Sequence, residues 1–396
     1  MLFVQPFNAQ RETGGRSLPI STNSMYIPAA QELNCTSIMA AAIFVLFLFL
    51  FFSTLTAAQP TSSKINLGSS LSPTTNSSWL SPSGNFAFGF YQYANGYAVS
   101  IWFAGAPTET VVWIANRDDP PLQQDARLVL TSDGKLVPQT TAPQPKSIAE
   151  TSQSASWASM LDTGNFVLYN SRGNVLLWQS FDFPTDTLFP GRSLVVEGKL
   201  FSSISVTNHS TGRFYIRMQS DGNLVQYLTG DERASTSYYA SDTCCRQDNA
   251  TTLNFTDDGS LYLQNITTGA NIMTLYSGGF RCHNNGIVSC RWTIDVDGIL
   301  RLYVLNQSGN WSTQMRLQTF SCPTGMFSLN GYCVLNDPDY VCNYVPGFEF
   351  IDQTQPILCC QRTFSAVDCR NSKQRMEFTV SSMDSIDWEN NTYNTL

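Results

Sequence analysis

The sequence predicts an all-β protein, and three observations carry that expectation. Charged residues make up only 13% of the chain while aromatics reach 12%, a balance that suits half-buried strands better than solvated helices. Ser, Thr, Asn and Gly are plentiful, as polar turns require. A short motif built on Asp-Gly or a near relative also recurs five times, at SDGKLV (Ser132), DTGNFVLY (Asp162), SDGNLVQY (Ser220), DDGSLYL (Asp257) and VDGILRLY (Val296). Each copy is flanked by alternating apolar residues, the signature of a hairpin, and their spacing is that of an internal repeat.

The register of these hairpins follows from keeping one face apolar. In the third copy Phe214, Ile216 and Met218 alternate with Tyr215, Arg217 and Gln219 before the turn, and Leu224 and Leu228 alternate with Asn223, Val225 and Tyr227 after it. A three-residue loop, Ser220-Asp221-Gly222 with Gly222 left-handed, pairs Gln219 with Asn223 and Met218 with Leu224. A two-residue loop would mix the faces, so the three-residue form is expected.

At 396 residues the chain has room for two or three domains. Residues 1–37 show no periodic apolar pattern and are expected to be unstructured. Residues 38–58 read as a signal peptide, because the apolar run from Ile38 to Phe52 is followed by small residues at Thr56 and Ala58 and falls short of the roughly 20 residues of a membrane span. A signal anchor is the alternative. Eight N-x-S/T sequons follow, at Asn76, Asn208, Asn249, Asn254, Asn265, Asn306, Asn310 and Asn390, in keeping with an exported glycoprotein.

Ten cysteines lie after residue 58, all between Cys244 and Cys369. Cys244, Cys245, Cys282, Cys290, Cys322, Cys333, Cys342, Cys359, Cys360 and Cys369 are therefore disulfide candidates or free thiols, in a late segment stapled by bridges worth about 2–4 kcal/mol each. No metal site is expected: adjacent cysteines lack C-x-x-C spacing, and only His209 and His283 stand near them.

The formal net charge of −8 and the absence of a basic stripe exclude nucleic acid as a partner. Enzyme readings find no support either. No kinase signature and no G-x-S-x-G occurs, and the neighbouring carboxylates of Asp118-Asp119 and Asp257-Asp258 belong to turns rather than to a facing acid pair. No catalytic residue and no cofactor is assigned.

Chemistry of another kind gathers on the third hairpin. With the expected register, Gln219, Asn223, Val225 and Tyr227 line an outward face with Asp221 at its rim. Vicinal sugar hydroxyls both donate and accept; Asp supplies acceptors, Gln and Asn supply both, Tyr a hydroxyl, and Val an apolar patch for ring C–H groups. So shallow a site predicts a Kd on the order of millimolar, or about −4 kcal/mol.

The spacing Q-x-D-x-N-x-V-x-Y, here QSDGNLVQY from Gln219 to Tyr227, resembles the mannose-binding motif of bulb-type lectins at all five positions. SPSGNFAFGFY from Ser81, VVWIANRDDPP from Val111 and WQSFDFPTDTLFPGR from Trp178 resemble the extracellular part of plant G-type lectin S-receptor-like serine/threonine kinases. The resemblance implies two tandem bulb-lectin (β-prism II) domains at 59–188 and 189–315, an EGF-like Cys-rich module at 316–362 and an incomplete PAN-like or juxtamembrane segment at 363–396, without the kinase. It departs from the family where Tyr344 replaces a usual cysteine, and in the other hairpin copies. Those carry Lys135 and Gln139, Thr163, Ser260 or Ile299 at motif positions, so only the copy at Gln219 is expected to bind sugar.

The functional expectation is a secreted or cell-surface lectin for mannose-type glycans. Its partners would be mannose-containing glycans or glycoproteins, with a homodimer or membrane receptor beside them. The alternative is a glycosylated protein-interaction ectodomain, or a truncated receptor kinase, without sugar binding.

Overall fold

The computed structural model describes residues 64–364, apart from 76, 108, 142–144, 172–174, 231, 233–236, 245–250, 283–286, 318–330, 337–338 and 354–359, together with 382–383. Segment 38–58, expected to be a signal peptide, thus lies outside the described residues, as do Asn76, Asn249 and Asn390 and Cys245, Cys322, Cys359 and Cys369. No helix among the described residues is long and apolar enough to cross a membrane.

Strands account for nearly all of the regular structure, as expected, and they fall into two groups with one connectivity. In the first, three short lead strands at Lys64–Asn66, Ser70–Leu71 and Ser78–Leu80 come before the hairpins. The first of them pairs with the last hairpin (Trp157–Met160 and Phe166–Tyr169), the second with the middle one (Arg127–Leu130 and Leu136–Gln139), and the third with the first (Phe86–Tyr93 and Gly96–Phe103). The second group repeats this nesting. Thr187–Leu188, Arg192–Leu194 and Lys199–Ser203 pair with strands Ile287–Ile294, Thr251–Phe255 and Thr211–Met218 in turn. Each group therefore has three sheets, and a sheet in either group gains an edge strand laid down before its own hairpin.

The repeated motif closes the turn between the two hairpin strands in five of the sheets. Leu130–Leu136, Met160–Phe166, Met218–Leu224, Phe255–Leu261 and Ile294–Leu300 are the cross-strand pairs that flank the five predicted turns, and all ten side chains are at most 1% exposed. The expected three-residue loop is present at the third copy, where the Gln219 amide donates to the Asn223 carbonyl at 2.8 Å and the Gly222 amide to the Gln219 carbonyl at 3.1 Å. Gly222 has φ +86°, which an L side chain resists. A sixth turn, Ser81 to Phe86, completes the first group but is one residue longer, with the Ser81 amide bonded to the Phe86 carbonyl at 2.8 Å. The apolar pairs of each group converge on its own core, one built around Phe86, Phe88, Leu128 and Phe166, the other around Phe214, Leu253 and Trp292.

The groups are also joined. Phe189 and Leu305 from the later strands belong to the first core, and Trp311 packs edge-on against Phe103 at 5.7 Å while its indole N–H donates to Thr110 Oγ1 at 3.1 Å. Arg117 also turns its guanidinium to the second group, donating to the carbonyls of His209 (2.6 Å), Phe201 (3.1 Å), Ser202 (3.1 Å) and Ser210 (3.2 Å) and to Ser203 Oγ (3.1 Å). Asp118 next to it accepts from both the amide and the hydroxyl of Thr211 at 2.7 Å.

His209 gives this joint a pH dependence. Burial holds its imidazole below the ordinary value; Asp186 opposes that shift and Arg117 adds to it, with the Tyr93 ring tilted against it at 6.2 Å. A depressed imidazole binds its proton more readily in the unfolded chain, so stability is complete above about pH 6.5 and is lost as pH falls through that value toward the folded one. Thermal melts of wild type and His209→Gln should therefore coincide near neutrality and diverge below about pH 6, the variant being less acid-sensitive. Parallel curves across that range would refute the assignment.

Beyond residue 317, two hairpins pair Gly331–Asn336 with Asp339–Tyr344 and Phe348–Phe350 with Cys360–Arg362. Cys333 is disulfide-bonded, and Cys282 bonds Cys290 within the second core. Tyr344, where the resemblance called for a cysteine, meets Phe350 edge-on at 5.1 Å and so links the two hairpins through an aromatic contact.

Candidate functional site

The five motif residues lie together on the sheet formed by Lys199–Ser203, Thr211–Met218, Leu224–Leu228 and Tyr239–Ala240. Asp221 heads the turn, and its Oδ1 accepts the Asn223 amide at 3.0 Å. Asp258 and Asp297 make the same bond to Ser260 and Ile299, at 3.1 Å each. An Asp here is thus first of all a turn cap, which explains why it survives in copies that have lost the rest of the motif.

The other polar residues do not cap the turn, although Asn223 Oδ1 also holds the Thr243 amide at 3.4 Å. Gln219 Nε2 donates to the Tyr227 hydroxyl at 3.0 Å, across the turn. Asn223 Oδ1 accepts from Ser241 Oγ at 2.9 Å, which orients the amide so that Nδ2 is its outward group. This leaves a carboxylate oxygen of Asp221, the Asn223 Nδ2, the Gln219 carbonyl oxygen and the second valence of the Tyr227 hydroxyl for a ligand. The set combines donors and acceptors, as hydroxyl pairs demand.

The face is less open than the alternation of the sequence implies. Val225 and Tyr227 are 2% and 3% exposed and pack with Tyr215, Phe201 and Ala240, whereas Gln219, Asp221 and Asn223 are half-buried. The expectation that Val225 and Tyr227 line an open surface is corrected accordingly. Charge explains the difference: Arg217, which faces Val225 across the ladder, is held by Glu197 and Glu232, and Lys199 reaches Glu232 at 3.0 Å while lying 4.8 Å over the Tyr215 ring. Long side chains bound in this way cover apolar surface with their stems. The accessible part of the motif is its turn end.

The other hairpins diverge from this arrangement. At Asp295 to Tyr303, Arg301 stands at the position of Val225 and donates to both Asp295 (2.7 Å) and Asp297 (2.6 and 2.8 Å), while the Tyr303 hydroxyl donates to Asp295 at 2.8 Å. In the first group Asn165 is buried and bonded to Gln179 and Ser180. Among the sequons, Asn306 and Asn310 are exposed, Asn208 and Asn254 half-buried, and Asn265 only 6% exposed with its side-chain oxygen accepting the Thr267 and Thr268 amides. No group of three potential metal ligands occurs among the described residues.

Two three-sheet groups with glycine turns at equivalent places, one of them bearing a polar turn end, are the architecture of a bulb-type lectin protein. The family described as D-mannose binding lectin matches residues 110–209, a span that crosses from one group into the other and ends before Gln219. The chain is related to the plant G-type lectin S-receptor-like kinases. It is 31% identical over 379 residues to the G-type lectin S-receptor-like serine/threonine-protein kinase LECRK1 of Oryza sativa subsp. japonica, covering 85% of this chain and 45% of that protein. It is 36% identical over 211 residues to RLK1 of Arabidopsis thaliana, covering 50% and 25%. The chain thus spans about half the length of the curated rice relatives it matches. Among solved structures it is similar to the mannose-specific agglutinin from snowdrop complexed with methyl-alpha-D-mannoside (21% identity, 35% of this chain, 95% of that chain, TM-score 0.20) and to a monomeric mannose-binding lectin from Gastrodia elata (21%, 34%, 97%, TM-score 0.25).

Proposed function

We propose that the protein is a glycan-binding ectodomain that takes mannose-type sugars at the turn end of the Gln219–Tyr227 hairpin. The observation that carries this reading is the set of open valences on Gln219, Asp221, Asn223 and Tyr227, three of which the turn itself does not require. In this reading two lectin domains meet near residue 188, the lead strand Thr187–Leu188 opening the second, and an EGF-like segment follows.

Retention on mannose-agarose is the test. The wild-type protein should be held and released by free mannose, and Asn223→Ala with Tyr227→Ala should pass through, since two lost sugar contacts take a Kd on the order of millimolar beyond useful affinity. A folded wild-type protein that is not retained even when clustered on a multivalent support would remove this function. It would favour the protein-interaction reading, in which the burial of Val225 and Tyr227 makes the motif part of a scaffold.

Export to an oxidising compartment belongs to the same proposal, supported by the Cys282–Cys290 bridge and the sequons. Glycopeptide mass spectrometry of the plant-expressed protein should find carbohydrate at Asn310 or Asn306 and none at Asn265, which is buried and tied to the Thr267 and Thr268 amides. Occupancy at Asn265 would contradict the fold at that strand end.

A further inference from the structure

We infer that the first group carries a second saccharide site, separate from the Gln219–Tyr227 face and independent of it, in the cleft beside the Arg117 joint. The cleft measures about 550 Å3, within the range of roughly 300–1,000 Å3 usual for small-ligand sites. One wall is aromatic. Trp178 meets Trp113 edge-on at 6.1 Å and stacks on Phe183 at 5.8 Å with planes 16° apart, and the Trp113 indole N–H donates to the Phe183 carbonyl at 2.7 Å, fixing the trio. Phe183 nevertheless leaves 58% of its surface exposed.

The facing side is polar. Asn116 is held at φ +46°, an unusual conformation for a residue other than glycine. Asp119 lies beside it and pairs with Lys146 at 3.0 Å, and Glu150 completes the lining. The neighbours Arg117 and Asp118 are already spent on the second group, and Asn116 Nδ2 is turned to the carbonyls of Lys146 (3.4 Å) and Ser147 (3.5 Å), so the groups that face a ligand are the Asn116 side-chain oxygen, the Asp119–Lys146 pair and Glu150. With Asp118 and Arg117 counted, three acids and two bases line the cleft. That near balance disfavours a polyanion, and the polar side disfavours a purely apolar molecule. A ring with C–H groups on one face and hydroxyls at its edge fits both walls: aromatic faces carry partial negative charge that attracts C–H groups, and carboxylates, amide and ammonium match hydroxyls.

Tryptophan emission offers a direct readout, because Trp113 and Trp178 line this cleft while the strands carrying the Gln219–Tyr227 face contain no tryptophan. The full chain would be titrated with mannose, glucose, galactose, N-acetylglucosamine and mannotriose, and with tetramethylammonium as a cationic competitor for an aromatic wall. At least one saccharide should shift the emission with the same midpoint in wild type and in Asn223→Ala. Phe183→Ala should weaken that response about tenfold, the scale of one lost aromatic stacking contact, and Glu150→Gln should weaken it as well. If Phe183→Ala proves misfolded by circular dichroism, the exposed Glu150→Gln carries the comparison alone. No response to any saccharide would overturn the site. So would a response abolished by Asn223→Ala but untouched by Phe183→Ala and Glu150→Gln, or one seen with tetramethylammonium only. Because the readout is indifferent to Asn223, its failure and the failure of mannose-agarose retention are distinguishable.

Discussion

Replacing Arg117 with Ala should destabilise the protein by about 3–5 kcal/mol, the largest expected effect of any single change at the joint. The guanidinium makes five hydrogen bonds to the second group, four of them to main-chain carbonyls between Phe201 and Ser210. Burial lowers the affinity of Arg117 for its proton, with Asp186 and Asp118 opposing that shift; an arginine nonetheless stays charged. Removing it leaves those carbonyls facing a void, and each buried acceptor without a donor costs about 1–3 kcal/mol unless water replaces the lost partner. Water entry explains why the expected total is below the sum. Scanning calorimetry should show a Tm lower by on the order of 10 °C, and Arg117→Lys should recover little, because one ammonium cannot reproduce a fork spread over five acceptors. If Arg117→Ala instead splits the melt into two transitions with the higher one unmoved, the joint couples two independently stable units rather than supporting either fold.

The contrast between this joint and the hairpins shows what the sequence can disclose. The turns are local: Asp, Gly and the apolar residues on either side lie within a few positions of each other, and the demand that Met218 and Leu224 share the buried face fixes the loop length. The sixth turn escapes that pattern because Ser83 stands where the Asp would. Ser83 Oγ takes over the cap, accepting the Asn85 amide at 3.2 Å, while Asp162 Oδ1, from a distant turn, receives the Ser83 amide at 2.9 Å. Arg117 is opaque for a related reason, since its partners are carbonyls 84 to 93 residues further on, and a carbonyl has no residue signature. The five motif residues were legible as a set; their burial was not. Alternation assigns Val225 and Tyr227 to the outward face but says nothing about Lys199, Arg217 and Glu232 gathering beside them.

The same logic makes the degenerate copy at Asp295 to Tyr303 a test of how a sugar-type site is lost. Position for position, Asp295 replaces Gln219, Asp297 matches Asp221, Ile299 replaces Asn223, Arg301 replaces Val225 and Tyr303 matches Tyr227. The tyrosine still bonds the residue at the first position, now Asp295 at 2.8 Å, but Arg301 spans both carboxylates with a side chain only 9% exposed. A charge from the chain itself thus holds the groups that a ligand's hydroxyls would otherwise bridge. Arg301→Val should cost about 3–5 kcal/mol, because it strands two carboxylates that are largely removed from water. Burial already raises the pKa of Asp295, Arg301 holds it back and Asp297 adds to the rise. Without Arg301 it should rise further, and a carboxyl raised in the folded state contributes stability at low pH that is lost as pH climbs through the folded value. Relative to wild type, Arg301→Val should therefore be more unstable at about pH 8 than at about pH 5. Adding Asp295→Gln removes one stranded charge and recreates the Gln–Tyr pair seen at Gln219 and Tyr227, so the double variant should recover most of the loss and much of the pH slope. A double variant as unstable as Arg301→Val would place the cost on Asp297 or on lost packing of the arginine stem, and Arg301→Met, which keeps that stem without its charge, separates those two causes.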